Sequence, residues 1–335
     1  MLSELNLSRP NLVLTRRTFS LTVAALAVSQ LVGERRVFAA SNRKFVFLGV
    51  PSELGIGCSG SRRMGMVDAP EAFRRFQFPE RLGATDLGDA AVPPCAGTED
   101  PISGLLNGSE IVSLATNVAT HLERPFKEHK VAVVVGGDCS LLLGPMLALN
   151  RLGPCGLLFI DGHADFESPS RYGASSELAI VTGHGPKLEM PHTARMPLVR
   201  EQDVVALAYQ PGKLGAEKLN ATEVRRFDID DLRRIGVAKS IRLAIDHLEQ
   251  SSIRKFWVHF DADVMNSDVM SAFNGKNTQG LSYDELSIIL SGIVPSPKFA
   301  GLQITILNPR LDPGGAVVER FVNAILHSFV KASQG

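Results

Sequence analysis

From Lys44 onward the chain alternates between short, mainly apolar runs and longer amphipathic ones. The apolar runs fall at 44–50, 131–135, 156–160, 204–209, 255–260 and 302–307. They lack the polar alternation of a half-exposed strand, so each predicts a strand buried on both faces. Between them, stretches at 69–76, 109–127, 141–152, 240–250, 282–292 and 316–331 carry helical spacing of apolar residues. Buried strands separated by helices predict an α/β fold of three layers, a mostly parallel sheet with helices on both faces. In such folds functional groups gather beyond the carboxyl ends of the strands.

Three of the predicted strands end in polar chemistry. Leu157-Leu158-Phe159-Ile160 runs into Asp161-Gly162-His163-Ala164-Asp165, and Phe256-Trp257-Val258-His259-Phe260 runs into Asp261-Ala262-Asp263. On an extended backbone alternate side chains share a side, so Asp161, His163 and Asp165 are expected to project together. Carboxylates crowded this way raise each other's pKa unless a cation sits among them. Oxygen donors with one imidazole suit Mn²⁺ and, less exclusively, Fe²⁺ or Zn²⁺. The plainer reading of any single Asp-x-Asp is a turn or helix cap; two such strand ends favour a shared metal site.

The third strand end is Val133-Val134-Val135-Gly136-Gly137-Asp138-Cys139-Ser140. Asp138 or Ser140 suits a helix cap, and Cys139 is either a soft ligand or a buried thiol. His259, two residues before Asp261, is expected on the same side of its strand, as an orienting partner or a core histidine.

Taken in this order and spacing, the three clusters resemble the arginase/agmatinase (ureohydrolase) family over the chain from about residue 44, with Gly49-Val50-Pro51 and Asn308-Pro309 also matching. The resemblance implies a binuclear manganese site and a metal-bridging hydroxide. One metal would be held by Cys139, Asp161, Asp165 and Asp261. The other would be held by Asp161, His163, Asp261 and Asp263, with Asp161 and Asp261 bridging. Asp165 and His163 would be catalytic, Asp165 as proton shuttle. The sequence departs from the family pattern at Cys139, which replaces a histidine ligand, and at Asn266-Ser267, which replaces Asp-Pro. It departs again at Ala179, near where a supporting histidine is expected, and at Ile306, which replaces the acid that receives a guanidinium. Glu177, His184 and Ile306 are the candidate substrate-side residues. Ile306 argues against arginine, because a buried guanidinium without a counter-charge is heavily penalised.

Composition changes this picture little. The 335 residues are 44% hydrophobic with a formal net charge of zero, which suits one large domain with a substantial core and gives no reason to expect nucleic acid. Four cysteines (Cys58, Cys95, Cys139, Cys155) without CxxC spacing predict no disulfide framework. There is no internal repeat. The loop over 51–67, with four glycines, Arg62 and Arg63, reads as a solvated rim.

The amino terminus adds a destination. Arg16-Arg17 precedes a moderately apolar run from Phe19 to Val32, and Val37-Phe38-Ala39-Ala40 suits a signal peptidase. This predicts a twin-arginine signal over 1–40 and a single metallohydrolase domain over 41–335, exported to the periplasm by the twin-arginine machinery. The run is short for a bilayer, so no membrane span is expected after processing. The family resemblance implies trimers or hexamers.

The reading that results is a metallohydrolase with two Mn²⁺ that cleaves a C–N bond of a small amidine, guanidino or amide substrate. Two rivals remain: a single-metal zinc enzyme resembling the related deacetylases, and an exported, non-catalytic binding protein on the same scaffold.

Overall fold

A computed structural model describes residues 43–58 and 64–332. The expected export signal over 1–40 and the arginines at 62 and 63 lie outside the described residues. Eight strands form one sheet: β1 (Phe45–Gly49), β2 (Ala84–Asp89), β3 (Val131–Val135), β4 (Cys155–Ile160), β5 (Val204–Leu207), β6 (Arg225–Phe227), β7 (Lys255–Asp261) and β8 (Phe299–Thr305). Their order is β2-β1-β3-β8-β7-β4-β5-β6, and every pairing is parallel. Helices lie between the strands, the longest being Gly108–Lys127, Val237–Gln250, Tyr283–Ile293 and Ala316–Ala332. The expected three-layer α/β/α arrangement is what the chain adopts.

Every residue of β1, β3, β4, β5 and β8 is buried, which is why these strands read as apolar runs, broken only by the buried Gln303 and Thr305 of β8. The two strands absent from the sequence reading are the edges. β2, Ala-Thr-Asp-Leu-Gly-Asp, has four exposed residues and none buried, and β6 has three residues. Four short helices, Phe78–Leu82, Glu177–Thr182, Ala216–Asn220 and Ile229–Ile235, were also missing from it. The last strand ends before its expected limit. Ile306 takes a φ of +62°, a left-handed conformation rare for a β-branched residue, and breaks the extended run after Thr305. The helix expected from Ser282 is confirmed by a capping box: Ser282 accepts from the Glu285 N–H, and the Glu285 side chain accepts from that of Ser282.

Strand order brings the three polar strand ends together. The last two strands in the chain, β7 and β8, insert between β3 and β4. Ile160 is level with Phe260, and Asp261 with Thr305, so Asp161, Asp261 and the turn after β3 meet over adjacent strands. One close approach makes this packing possible. Trp257 lies across Gly301, whose φ is +147°; a Cβ there would fall 2.0 Å from the Ala132 carbonyl oxygen and 2.7 Å from the indole. Only glycine fits.

The loop after β1 is tied down where it is described. Glu53 accepts from the N–H groups of Met64, Gly65 and Met66, and Asp138 accepts from Gly55. Cys58 is disulfide-bonded to Cys95, a single bond that the cysteine spacing did not predict, while Cys139 and Cys155 are free. The bonded two are 37 residues apart, so no local spacing announced the pair. Among the described residues no helix is long and apolar enough to cross a membrane.

Candidate metal centre

The same local device closes all three polar strand ends. An aspartate accepts, through Oδ1, the N–H two residues ahead: Asp138 from Ser140 at 2.9 Å, Asp161 from His163 at 2.6 Å, and Asp261 from Asp263 at 2.7 Å. Such turns are a standard use of aspartate. They also correct the expected route to convergence. β4 ends at Ile160, so Asp161, His163 and Asp165 do not alternate along a strand; they are gathered by a turn. Asp165 sits at φ +40°, and its neighbours are Glu177, Asp261 and Asp263.

Two donor groups result, and they share Asp161. In the outer group, donor atoms of Asp161, His163 and Asp263 lie within 4.8 Å of one another. His163 Nδ1 is 3.1 Å from Asp263 Oδ2, and the histidine side chain is 42% exposed, so this group faces solvent. In the inner group, donor atoms of Cys139, Asp161, Glu177 and His259 lie within the same limit, and all four residues are buried. Asp261 joins the inner group through a 2.7 Å contact in which the Cys139 thiol donates to Oδ2. Metal–ligand bonds of about 2.2 Å place opposite donors about 4.4 Å apart, so both groups have the dimensions of a cation site. Their donors, carboxylate-rich with one or two imidazoles, suit a divalent ion.

The electrostatics ask for that cation. Burial, followed by the neighbouring acids, pushes Asp161, Asp165 and Glu177 well above the usual carboxylate range; Asp261 is raised by burial and then by Asp263. The Cys139 thiol is raised too, by burial and then by Asp261. His163 moves upward because Asp263 favours its charged form. A cluster of this kind is stable in ionised form only around positive charge.

His259 supports the centre without being free to ligate. Trp257 and His259 on β7 share a face with Gln303 on β8, which is level with His259. The indole N–H of Trp257 is a donor only, so the Gln303 oxygen that meets it at 2.8 Å must accept. The Gln303 amide nitrogen then donates to His259 Nδ1 at 2.9 Å, which leaves the proton on Nε2, 3.3 Å from Asp161 Oδ2. Phe159 stacks on the imidazole with centroids 4.5 Å apart, and burial lowers the His259 pKa to about 3. A neutral imidazole of fixed tautomer therefore orients the shared carboxylate. His259→Phe keeps the ring and its stack but deletes the donor. We expect metal binding about 10–100-fold weaker; unchanged affinity in a chelator competition would show that this donor contributes nothing.

The two ligand turns also need Gly162. A Cβ there would lie 2.9 Å from both the Asp263 carbonyl oxygen and Asp263 Oδ1. Asn277, held by Gln210, crowds the same point, its amide nitrogen 3.1 Å from that Cβ and donating to the Asp263 carbonyl.

Of the other candidates, Glu177 lies in the inner group. Ile306 is buried beside the glycine turn, its N–H donating to the Gly137 carbonyl. His184 is paired with Glu201 at 2.5 Å and tilts against Phe166; its own N–H closes the helix Glu177–Thr182 by donating to the Ala179 carbonyl. Ala179 is buried, and its N–H donates to the Asp165 carbonyl. The sequence reading missed Gln303 and Trp257 as parts of the centre. Parity along β7 identifies His259, but nothing local indicates which strand lies beside it.

Comparison with known proteins agrees with this geometry. The model of the Arginase family matches residues 43–330. An arginase of Glaciozyma antarctica is 25% identical over 295 residues, covering 82% of this chain and 85% of that one. The crystal structure of Bacillus subtilis arginase superposes with a TM-score of 0.74 at 20% identity, covering 86% of this chain and 98% of that one. The formimidoylglutamase structure from B. subtilis gives 0.67 at 17% identity, with 88% of each chain covered. The polar strand ends, the sheet that aligns them and the family match lead to one conclusion: the chain belongs to the arginase family.

Proposed function

We propose that the chain is a metal-dependent hydrolase cleaving a C–N bond of a small amidine, guanidino or amide compound other than arginine. The observation that carries this reading is the pair of donor groups hinged on Asp161. When bound, two divalent cations supply the Lewis acidity that ionises a water near neutral pH. Asp161, Asp165 and Asp261, with Cys139 beside them, would hold the inner ion; Asp161, His163, Asp261 and Asp263 would hold the outer one. The carboxylate-rich donor set favours manganese.

Asp165 is the proton carrier. Its carboxylate would lie beside the ions, placed to accept a proton from the attacking water and return it to the leaving nitrogen. The C–N bond breaks as the water oxygen bonds to carbon, and the amine departs neutral. His163, at the exposed end of the centre, is kept in place by Asp263. Ile306 offers no counter-charge to a guanidinium, which favours a less basic substrate. We also propose export, with the twin-arginine segment as the signal; the Cys58–Cys95 disulfide supports it, because such bonds persist in oxidising compartments.

The test is release of ammonia, urea or amine from a panel of amidines, amides and guanidino compounds including arginine. Turnover of at least one compound other than arginine should vanish on chelation and return with Mn²⁺. Chelator-insensitive turnover, or arginine as the best substrate, would sink the reading.

A further inference from the structure

Glu177 has no role in the ligand set carried over from the family, yet its side chain is the least compensated in the centre. It is 0% exposed, and its carboxylate oxygens have no hydrogen-bond partner other than the adjacent carboxyl of Asp165. A buried acid in that condition is costly. Its oxygen lies within 4.8 Å of Cys139 Sγ, an Asp161 oxygen and a ring nitrogen of His259.

Two of those three neighbours already have their protons committed. His259 Nε2 donates to Asp161, a tautomer fixed through Gln303 by the indole of Trp257. The Cys139 thiol donates to Asp261. Sulfur is a soft donor and a poor match for a hard cation, and this sulfur is already turned onto Asp261 Oδ2. Asp161 and Glu177 are the members of the group with lone pairs to give.

We propose that Glu177 is a direct ligand of the inner divalent cation, taking the place left by the family's missing histidine, while Cys139 acts as a neutral donor that orients Asp261. This rests on the binuclear reading above. It moves Glu177 from the substrate side of the site to its metal side. The helix Glu177–Thr182 follows the turn that carries Asp165, so a single segment delivers both carboxylates: Asp165 at its start and Glu177 twelve positions on.

The experiment compares the full processed chain with Glu177→Gln and Cys139→Ser, each stripped and reloaded with Mn²⁺. Metal content, chelator competition and electron paramagnetic resonance are read for each. The wild type should hold two ions with the spin coupling of a close pair. Glu177→Gln should keep the outer ion, lose the coupling, and bind the inner ion at least about 100-fold more weakly, beyond what an orienting partner contributes. Its metal-free form should melt no lower than the wild type, because the uncompensated acid is gone. Cys139→Ser should retain both ions. Two tightly held, coupled ions in Glu177→Gln would overturn the proposal and leave Glu177 a buried acid sharing a proton with Asp165. Loss of the inner ion in Cys139→Ser alone would return the ligand role to sulfur. A wild type that takes up no Mn²⁺ would instead remove the binuclear reading itself.

Discussion

Asp161→Ala is expected to empty both metal positions and abolish turnover. Asp161 is present in both donor groups and, like Asp261, would hold both ions, so its removal takes an anionic ligand from each at once. It is also 0% exposed and engaged on every side: Oδ1 accepts the His163 N–H, and Oδ2 accepts from His259. Its loss therefore also releases the turn that aims His163. Both effects act in the same direction, and metal affinity should fall by well over about 100-fold, the upper figure for an orienting partner alone. Asp161→Asn separates charge from shape. The amide oxygen can still accept the His163 N–H, so the turn should survive while the bridging negative charge does not. Elemental analysis of both variants after Mn²⁺ loading, beside turnover, is the measurement. Normal metal content in Asp161→Ala would refute the shared-ligand assignment.

What the sequence made legible follows from where the information is local. Strands buried on both faces are mainly apolar, so β1, β3, β4, β5, β7 and β8 were readable, whereas β2 mixes Thr, Asp and Gly because an edge strand meets water. Acids at the ends of two buried strands announced a shared centre. The assumed reason, alternation along an extended backbone, was wrong, because the backbone turns immediately after Ile160 and aspartate side chains hold that turn. His259 could be placed by parity with Asp261, but Gln303 became its partner only because β8 lies beside β7, and strand order is not written in any short motif. Glu177 was read from the sequence as a candidate substrate-side residue. Its burial against Cys139 and Asp161 depends on how the helix Glu177–Thr182 packs, which is a tertiary fact. The same holds for Cys58 and Cys95, joined across 37 residues by the folding of the loop after β1.

Removing the metal should make stability fall as pH rises, the reverse of the usual behaviour of surface acids. The folded-state pKa values of Asp161, Asp165, Asp261 and Glu177 are raised well above their ordinary values, chiefly by burial. A carboxyl raised in the folded state binds its proton more tightly there than in the unfolded chain. Its contribution is therefore fully present below the unfolded pKa near 4 and is lost as pH climbs through the higher folded value. His163, also raised, adds to the same trend above its ordinary 6.5. His259 opposes it: with a folded pKa of about 3, it stabilises above 6.5 and loses that contribution as pH falls. Four acids and one histidine outweigh one histidine, so the chelated protein should melt highest in mild acid and progressively lower toward pH 8. Bound cations reverse the sign, because they favour the ionised carboxylates and must displace protons to enter. Saturation at 100 times the dissociation constant is worth about 2.7 kcal/mol per independent site, on the order of 5–10 °C for a domain of this size. The gap between loaded and chelated melting temperatures should thus widen from pH 5 to pH 8. A gap that stays constant or narrows would mean that these acids do not titrate with the metal, and that the cluster is a structural network rather than a cation site.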